Sequence, residues 1–105
     1  MRVTPPIWYN PPIARWLKCR VQNDLPPQGY LVEVNIDGEE RSIVAPYQAV
    51  RVDAGSLPAD GELFVVVVAE LPDNENLVLT ELPAAPFNGS QRLAVDRKIL
   101  EGQVA

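Results

Sequence analysis

Eleven prolines, at positions 5, 6, 11, 12, 26, 27, 46, 58, 72, 83 and 86, constrain this 105-residue chain more than any other feature. A proline inside a helix removes a backbone donor and its ring clashes with the preceding turn. No interval before residue 87 is both long and helix-periodic, so the chain must build its core from strands. Apolar residues make up 47% of it, enough for one small domain with a real core.

Between the prolines the hydrophobic pattern has period two, the signature of half-buried strands. Leu17, Cys19 and Val21 share one face, and Lys18, Arg20 and Gln22 take the other. Val32, Val34 and Ile36 alternate with Glu33 and Asn35, and Asp37-Gly38 follows as a hairpin signal. A two-residue turn sets Val34 opposite Arg41. A three-residue loop with a bulge sets Val34 opposite Ser42 and Val32 opposite Val44; it matches the apolar faces better and is the expected form. Arg41 to Ala45 reads as a strand, with a helical turn from Pro46 through Val50. A β-branched run from Glu62 to about Leu71, then LVLTEL and QRLAV, read as further strands, and DRKILEG as a last helical turn or two.

The two halves of the chain resemble one another. Setting Leu17–Ile36 against Leu63–Leu82 gives six identities in 20 positions, among them Leu17/Leu63, Val21/Val67 and Leu25-Pro26/Leu71-Pro72. Beyond the hairpin, Ile43, Ala45, Ala49 and Val50 fall over Leu93, Val95, Ile99 and Leu100. Three strands cannot stand alone, but two such units can bury their faces against each other. The expected fold is all-β: a small closed barrel of six strands from two similar βββ-turn halves, with only short helical turns. An SH3-like five-stranded barrel is the alternative. The expected organisation is a Pro/aromatic N-terminal arm over 1–13 and one β-barrel domain over 14–105, with half-repeats at about 14–51 and 61–101.

Composition removes several classes of chemistry. There is no histidine and one cysteine. A Cys/His zinc site and a histidine-dependent triad therefore cannot be assembled within one chain. A net charge of −5 disfavours binding to a polyanion, so no nucleic-acid role is expected. No apolar stretch approaches the length that spans a bilayer, so no membrane role is expected. The single thiol and the absence of an apolar leader pattern point to a cytoplasmic setting. No glycine-rich phosphate loop is present. The carboxylate groups Asp37-Glu39-Glu40, Asp60-Glu62 and Asp73-Glu75 read as solvated turns, leaving a carboxylate-only hydrolase as a remote possibility. No cofactor, metal or catalytic residue is expected. Cys19, on the inward face, reads as a small hydrophobe.

Charge is unevenly distributed. Residues 1–23 carry Arg2, Arg15, Lys18 and Arg20 with no acid, and residues 52–91 carry seven acids with no base. A basic N-terminal segment lying on an acidic face, its own or a partner's, is one consequence.

The sharpest functional clue is the stretch Leu63–Ala69, apolar on both faces. Leu63, Val65, Val67 and Ala69 match the inward set of the first half. Phe64, Val66 and Val68 stand where that half has Lys18, Arg20 and Gln22. A strand apolar on both faces needs cover on both. The aromatic arm or a second subunit would supply it, and Trp8, Tyr9 and Trp16 are residues of the kind that anchor interfaces. The expected interaction residues are thus Trp8, Tyr9, Trp16, Phe64, Val66 and Val68. The expected function is a non-enzymatic protein-interaction or self-associating barrel, a homo-oligomer or a binder of another protein. The alternative is a small-ligand or regulatory barrel, with a pocket at one barrel end between the turns at 24–30 and 72–76.

Overall fold

The computed structural model describes residues 4–36, 38–87 and 90–103. In chain order it runs β1 (Ile7–Leu25), β2 (Gly29–Ile36), β3 (Glu39–Ala45), β4 (Val50–Arg51), β5 (Ala59–Glu70), β6 (Leu77–Glu81), β7 (Arg92–Asp96) and β8 (Leu100–Gln103). Short 3-10 turns at Tyr47–Ala49, Ala54–Ser56 and Arg97–Ile99 join some of the strands. All eight strands form one antiparallel sheet of order β3-β2-β1-β5-β6-β7, with β4 added to β5 and β8 added to β1.

The sheet curls strongly into a half-barrel and does not close. Closure would require β3 and β7 to pair, and among the described residues each has only one strand neighbour. The longer loop before β7 reaches β3 instead: the Phe87 N–H donates to the Ser42 carbonyl at 2.8 Å. The expected closed barrel is corrected on this point, and eight strands also exceed the SH3-like alternative.

β1 and β5 are the two long strands at the centre. Leu17 lies opposite Leu63, Leu63 opposite Val50, and Leu17 opposite Leu100. Directly opposed residues share a face, so Val50, Leu63, Leu17 and Leu100 form one row across four strands on the concave side. Val21, Val32, Ile43, Val65 and Val95 complete the core, all essentially inaccessible to water. Among the described residues Thr80 is the buried polar member, its hydroxyl donating to the Val78 carbonyl at 3.4 Å.

The prolines act locally. Trp8 pairs with Ala69 and Ile13 with Val67, so Tyr9-Asn10-Pro11-Pro12 oppose the single residue Val68. Pro11 and Pro12 have no N–H to give a ladder, and the strand accommodates them as an excursion. On the expected division at residue 13, Ile7 to Ile13 belong to β1 and run within the sheet. Further bulges fall at Gln22, where β1 meets β2, and at Val68, where β5 meets β6. Bulges raise local twist, which helps the sheet to curl.

The β2–β3 hairpin is the tight form. Ile36 pairs with Glu39 and Val34 with Arg41, with Gly38 at φ 80°. The expected three-residue loop is therefore corrected; Asp37, the other half of the turn signal, lies outside the described residues. Glycine accommodates the positive φ, and Arg41, only 18% exposed, lays its side chain on the inner face beside the apolar residues. Gly61 serves close approach: a Cβ there would sit 2.6 Å from the Arg51 carbonyl oxygen.

The basic segment of β1 lies against the acidic start of β5. Arg20 bonds Asp60 at 3.0 Å, and Lys18 is registered opposite Glu62. These charges of opposite sign thus meet within the chain, across neighbouring strands. Arg2 lies outside the described residues.

Candidate interaction surface

Register defines the outer, convex face. Pairings Trp8–Ala69, Ala69–Leu79 and Leu79–Ala94 place these four residues in one row across β1, β5, β6 and β7. The next row is Ala14–Val66–Glu81–Arg92, and the one beyond is Trp16–Phe64. Strands about 4.8 Å apart make the first row roughly 14 Å long. Trp8 is 55% exposed, while Val66, Leu79 and Ala94 are half-buried. Ala69, flanked by Trp8 and Leu79, is fully buried.

Charged side chains frame these rows. The Arg92 guanidinium lies 5.3 Å from the Trp8 ring centroid and 3.3 Å from the Glu81 carboxylate. Arg51 stacks on Trp16 at 3.7 Å, and Phe64 meets the same ring edge-on at 5.6 Å between centroids. Trp16 is consequently 9% exposed, and its indole N–H has no hydrogen-bond partner among the described residues. Arg51 from β4 also approaches Glu62 at 3.7 Å, which holds it across the tryptophan.

The six residues expected to form an interface therefore separate. Trp8 and Val66 share the outer face, as do Phe64 and Trp16, but the last two are largely satisfied by each other and by Arg51. Val68 is the bulged residue, 6% exposed between buried Val67 and Ala69, and it is not part of an open face. Tyr9 turns away: its hydroxyl donates to Glu70 Oε1 at 2.8 Å and it lines a small cavity with Ile13, Arg15, Val67 and Arg97. Burial and the neighbouring carboxylate raise the pKa of the Tyr9 phenol. The N-terminal segment from Ile7 onward lies beside β5 as a strand, so it does not form a separate layer above it. Leu79, Ala94 and Arg92 complete the surface, and sequence reasoning missed them. Their signal is alternation: Leu79 stands between the inward residues Val78 and Thr80, Ala94 between Leu93 and Val95, and Arg92 next to Leu93.

Two clefts, of about 570 and 590 Å3, adjoin Lys18 and Cys19. Their walls mix Lys18, Arg20 and Arg51 with Asp60 and Glu62. Cys19 is buried, and its thiol pKa is pushed up to about 12 by desolvation first and by Glu62 and Asp60 second. A thiol so placed is a poor nucleophile at neutral pH. The expected pocket between the turns at 24–30 and 72–76 is corrected. β1 and β5 are antiparallel and Ile7 pairs with Glu70, so Leu25 and Glu70 end at opposite ends of the sheet. Among the described residues no helix is long and apolar enough to cross a membrane, and no three His, Cys, Asp or Glu side chains group as a metal site.

The fold and surface define an open, curled antiparallel half-barrel with an apolar convex patch. Neither a protein-family model, a curated protein nor a solved structure matches the chain.

Proposed function

We propose that the chain is a non-enzymatic self-association module whose contact surface is the convex face of β1, β5, β6 and β7. The observation that carries this is the row Trp8–Ala69–Leu79–Ala94, with a half-exposed tryptophan at one end and a strand edge at the other. Tryptophan flanked by arginine is the composition that dominates binding energy at protein contacts. The test is sedimentation velocity of the full chain over a concentration series, beside Trp8→Ser and Leu79→Ser. A dimer weakened at least about 30-fold by Trp8→Ser, the effect of losing an anchor of about 2 kcal/mol, supports the reading. A wild-type chain that stays monomeric at millimolar concentration overturns it.

The same reading takes the two halves as copies of one unit, each using its partner to complete its sheet. What supports it is a shared pattern of pairing. Leu17 and Leu63, aligned by sequence, lie opposite each other; Val50 pairs Leu63 as Leu100 pairs Leu17; and Arg51 pairs Glu62 as Glu101 pairs Trp16. The bulges at Gln22 and Val68 are 46 positions apart, the offset of the first aligned strands. The offset becomes 48 between β2 and β6, where Val21–Val32 corresponds to Val67–Thr80. It becomes 50 for the strands and turns that follow. Expressing residues 1–56 and 57–105 as separate polypeptides tests the dependence: folding only on mixing is expected, and independent folding of either piece contradicts it.

A further inference from the structure

We propose that a second copy of the chain adds to the open edge of β7, with Arg92–Asp96 of each copy pairing antiparallel about a two-fold axis at Ala94. This rests on the self-association reading and names where the two copies meet.

Among the described residues, the groups this pairing needs on the edge are not taken by another strand. The Leu82 N–H donates to the Gln91 carbonyl and the Arg97 N–H to the Asn76 carbonyl, both at 2.9 Å. With the β6–β7 register, these bonds turn the peptide groups of Leu93 and Val95 toward β6. Alternation then turns the N–H and C=O of Ala94, the N–H of Asp96 and the C=O of Arg92 away from the sheet. The Arg92 N–H is taken by Ser90 Oγ at 3.2 Å. A two-fold pairing makes two reciprocal bonds at Ala94, and each Asp96 N–H meets the Arg92 carbonyl of the other copy.

The side chains choose the direction. In this arrangement Arg92 stands opposite Asp96 of the second copy, twice, and Leu93 stands opposite Val95. Parallel addition in register would instead set arginine beside arginine and aspartate beside aspartate. Arg92 and Asp96 both lie on the outer face with Ala94, while Leu93 and Val95 lie on the inner face. The apolar row therefore continues through the axis from Trp8 of one copy to Trp8 of the other. Such an isologous contact closes at two copies.

The other end of the sheet does not offer this. The Ser42 carbonyl on β3 is already bonded by the Phe87 N–H, and self-pairing about Ser42 would set Glu40 against Val44. The proposal is therefore confined to β7, where no backbone group of the described residues occupies the outer side of Ala94.

The test is sedimentation equilibrium on the full chain and three variants. Ala94→Pro removes only an outward N–H, which an edge strand tolerates, and is expected to weaken the dimer at least about tenfold. Its circular dichroism should remain that of the wild type. Arg92→Glu and Asp96→Lys are each expected to weaken self-association, because like charges then face each other across the axis. Mixing those two variants is expected to restore a dimer. The new carboxylate then meets the new ammonium, and the native Asp96 of one chain meets the native Arg92 of the other. Recovery on mixing also separates an interface role from Arg92's contacts to Glu81 and from Asp96's hydrogen bond to the Lys98 N–H. If Ala94→Pro does not fold, the charge pair carries the test alone. Unchanged dimerisation of each charge variant by itself overturns the proposal. A dimer that survives these changes but dissolves in Trp8→Ser overturns the edge while leaving the association reading standing. A wild-type monomer overturns both.

Discussion

Truncating the two central leucines tests the β1–β5 register on which every row described above depends. Leu17 and Leu63 are 1% and 0% exposed and directly opposed, each also flanked by a short strand that brings Leu100 or Val50. Leu→Ala at a site of this kind costs about 2–5 kcal/mol, from lost transfer energy plus the cavity left behind. For a domain of this length, 1 kcal/mol moves the melting temperature by about 4–5 °C. A change of about 3 kcal/mol therefore lowers it by about 12–15 °C in either single variant. Opposed residues share one cavity, so Leu17→Ala and Leu63→Ala together should cost about 1 kcal/mol less than the singles combined. Urea unfolding followed by circular dichroism, on the wild type, both singles and the double variant, measures that coupling. Additivity within about 0.3 kcal/mol would refute the pairing.

Gly61→Ala should destabilise by about 1–3 kcal/mol, because its Cβ would lie 2.6 Å from a backbone oxygen of Arg51; an unchanged urea midpoint would contradict this. Arg51→Ala removes the cation over Trp16 and should lower the melting temperature by about 2–5 °C while increasing acrylamide quenching of tryptophan fluorescence. Loss of neither stability nor shielding would show the stack to be idle. Cys19 supplies a pH prediction. Its folded pKa is raised to about 12, above the ordinary thiol value, so the unfolded chain loses its proton first and stability falls as pH rises from about 9 toward 12. Cys19→Val should flatten that fall, and a thiol reagent at about pH 8 should label the native chain slowly. Rapid labelling would place the thiol in solvent.

Much of the architecture is written in the alternation of individual strands. Val32, Val34 and Ile36 turn inward as their spacing requires, and Leu17, Cys19 and Val21 do the same. The turn after Pro46, the loop over 72–76 and the strand within QRLAV also fall where the pattern puts them. Three features escape it for physical reasons. Period-two alternation carries no information where consecutive positions are all apolar, so the bulge at Val68 leaves no mark in Val65-Val66-Val67-Val68. Phe64, on the outer side of that run, is satisfied by Trp16 rather than by a further layer. The prolines at 11 and 12 argue against a strand, yet β1 passes through them by an excursion opposite one residue, a tertiary solution that local propensity does not contain. The β2–β3 register departs from expectation because Arg41 reads as polar, although its long stem can line an apolar face. On the candidate surface, Trp8 and Val66 are legible as residue types. Leu79 and Ala94 become visible only once register sets them in a row with Trp8.

Amide hydrogen exchange at β7, read residue by residue by NMR at several protein concentrations, reports directly on pairing of two copies at Ala94. Leu93 and Val95 face β6 and should be protected at every concentration. Ala94 and Asp96 face outward and should exchange rapidly in dilute solution, gaining protection in parallel as the chain dimerises. Rapid exchange of both amides at concentrations where a dimer predominates would rule out pairing at this edge.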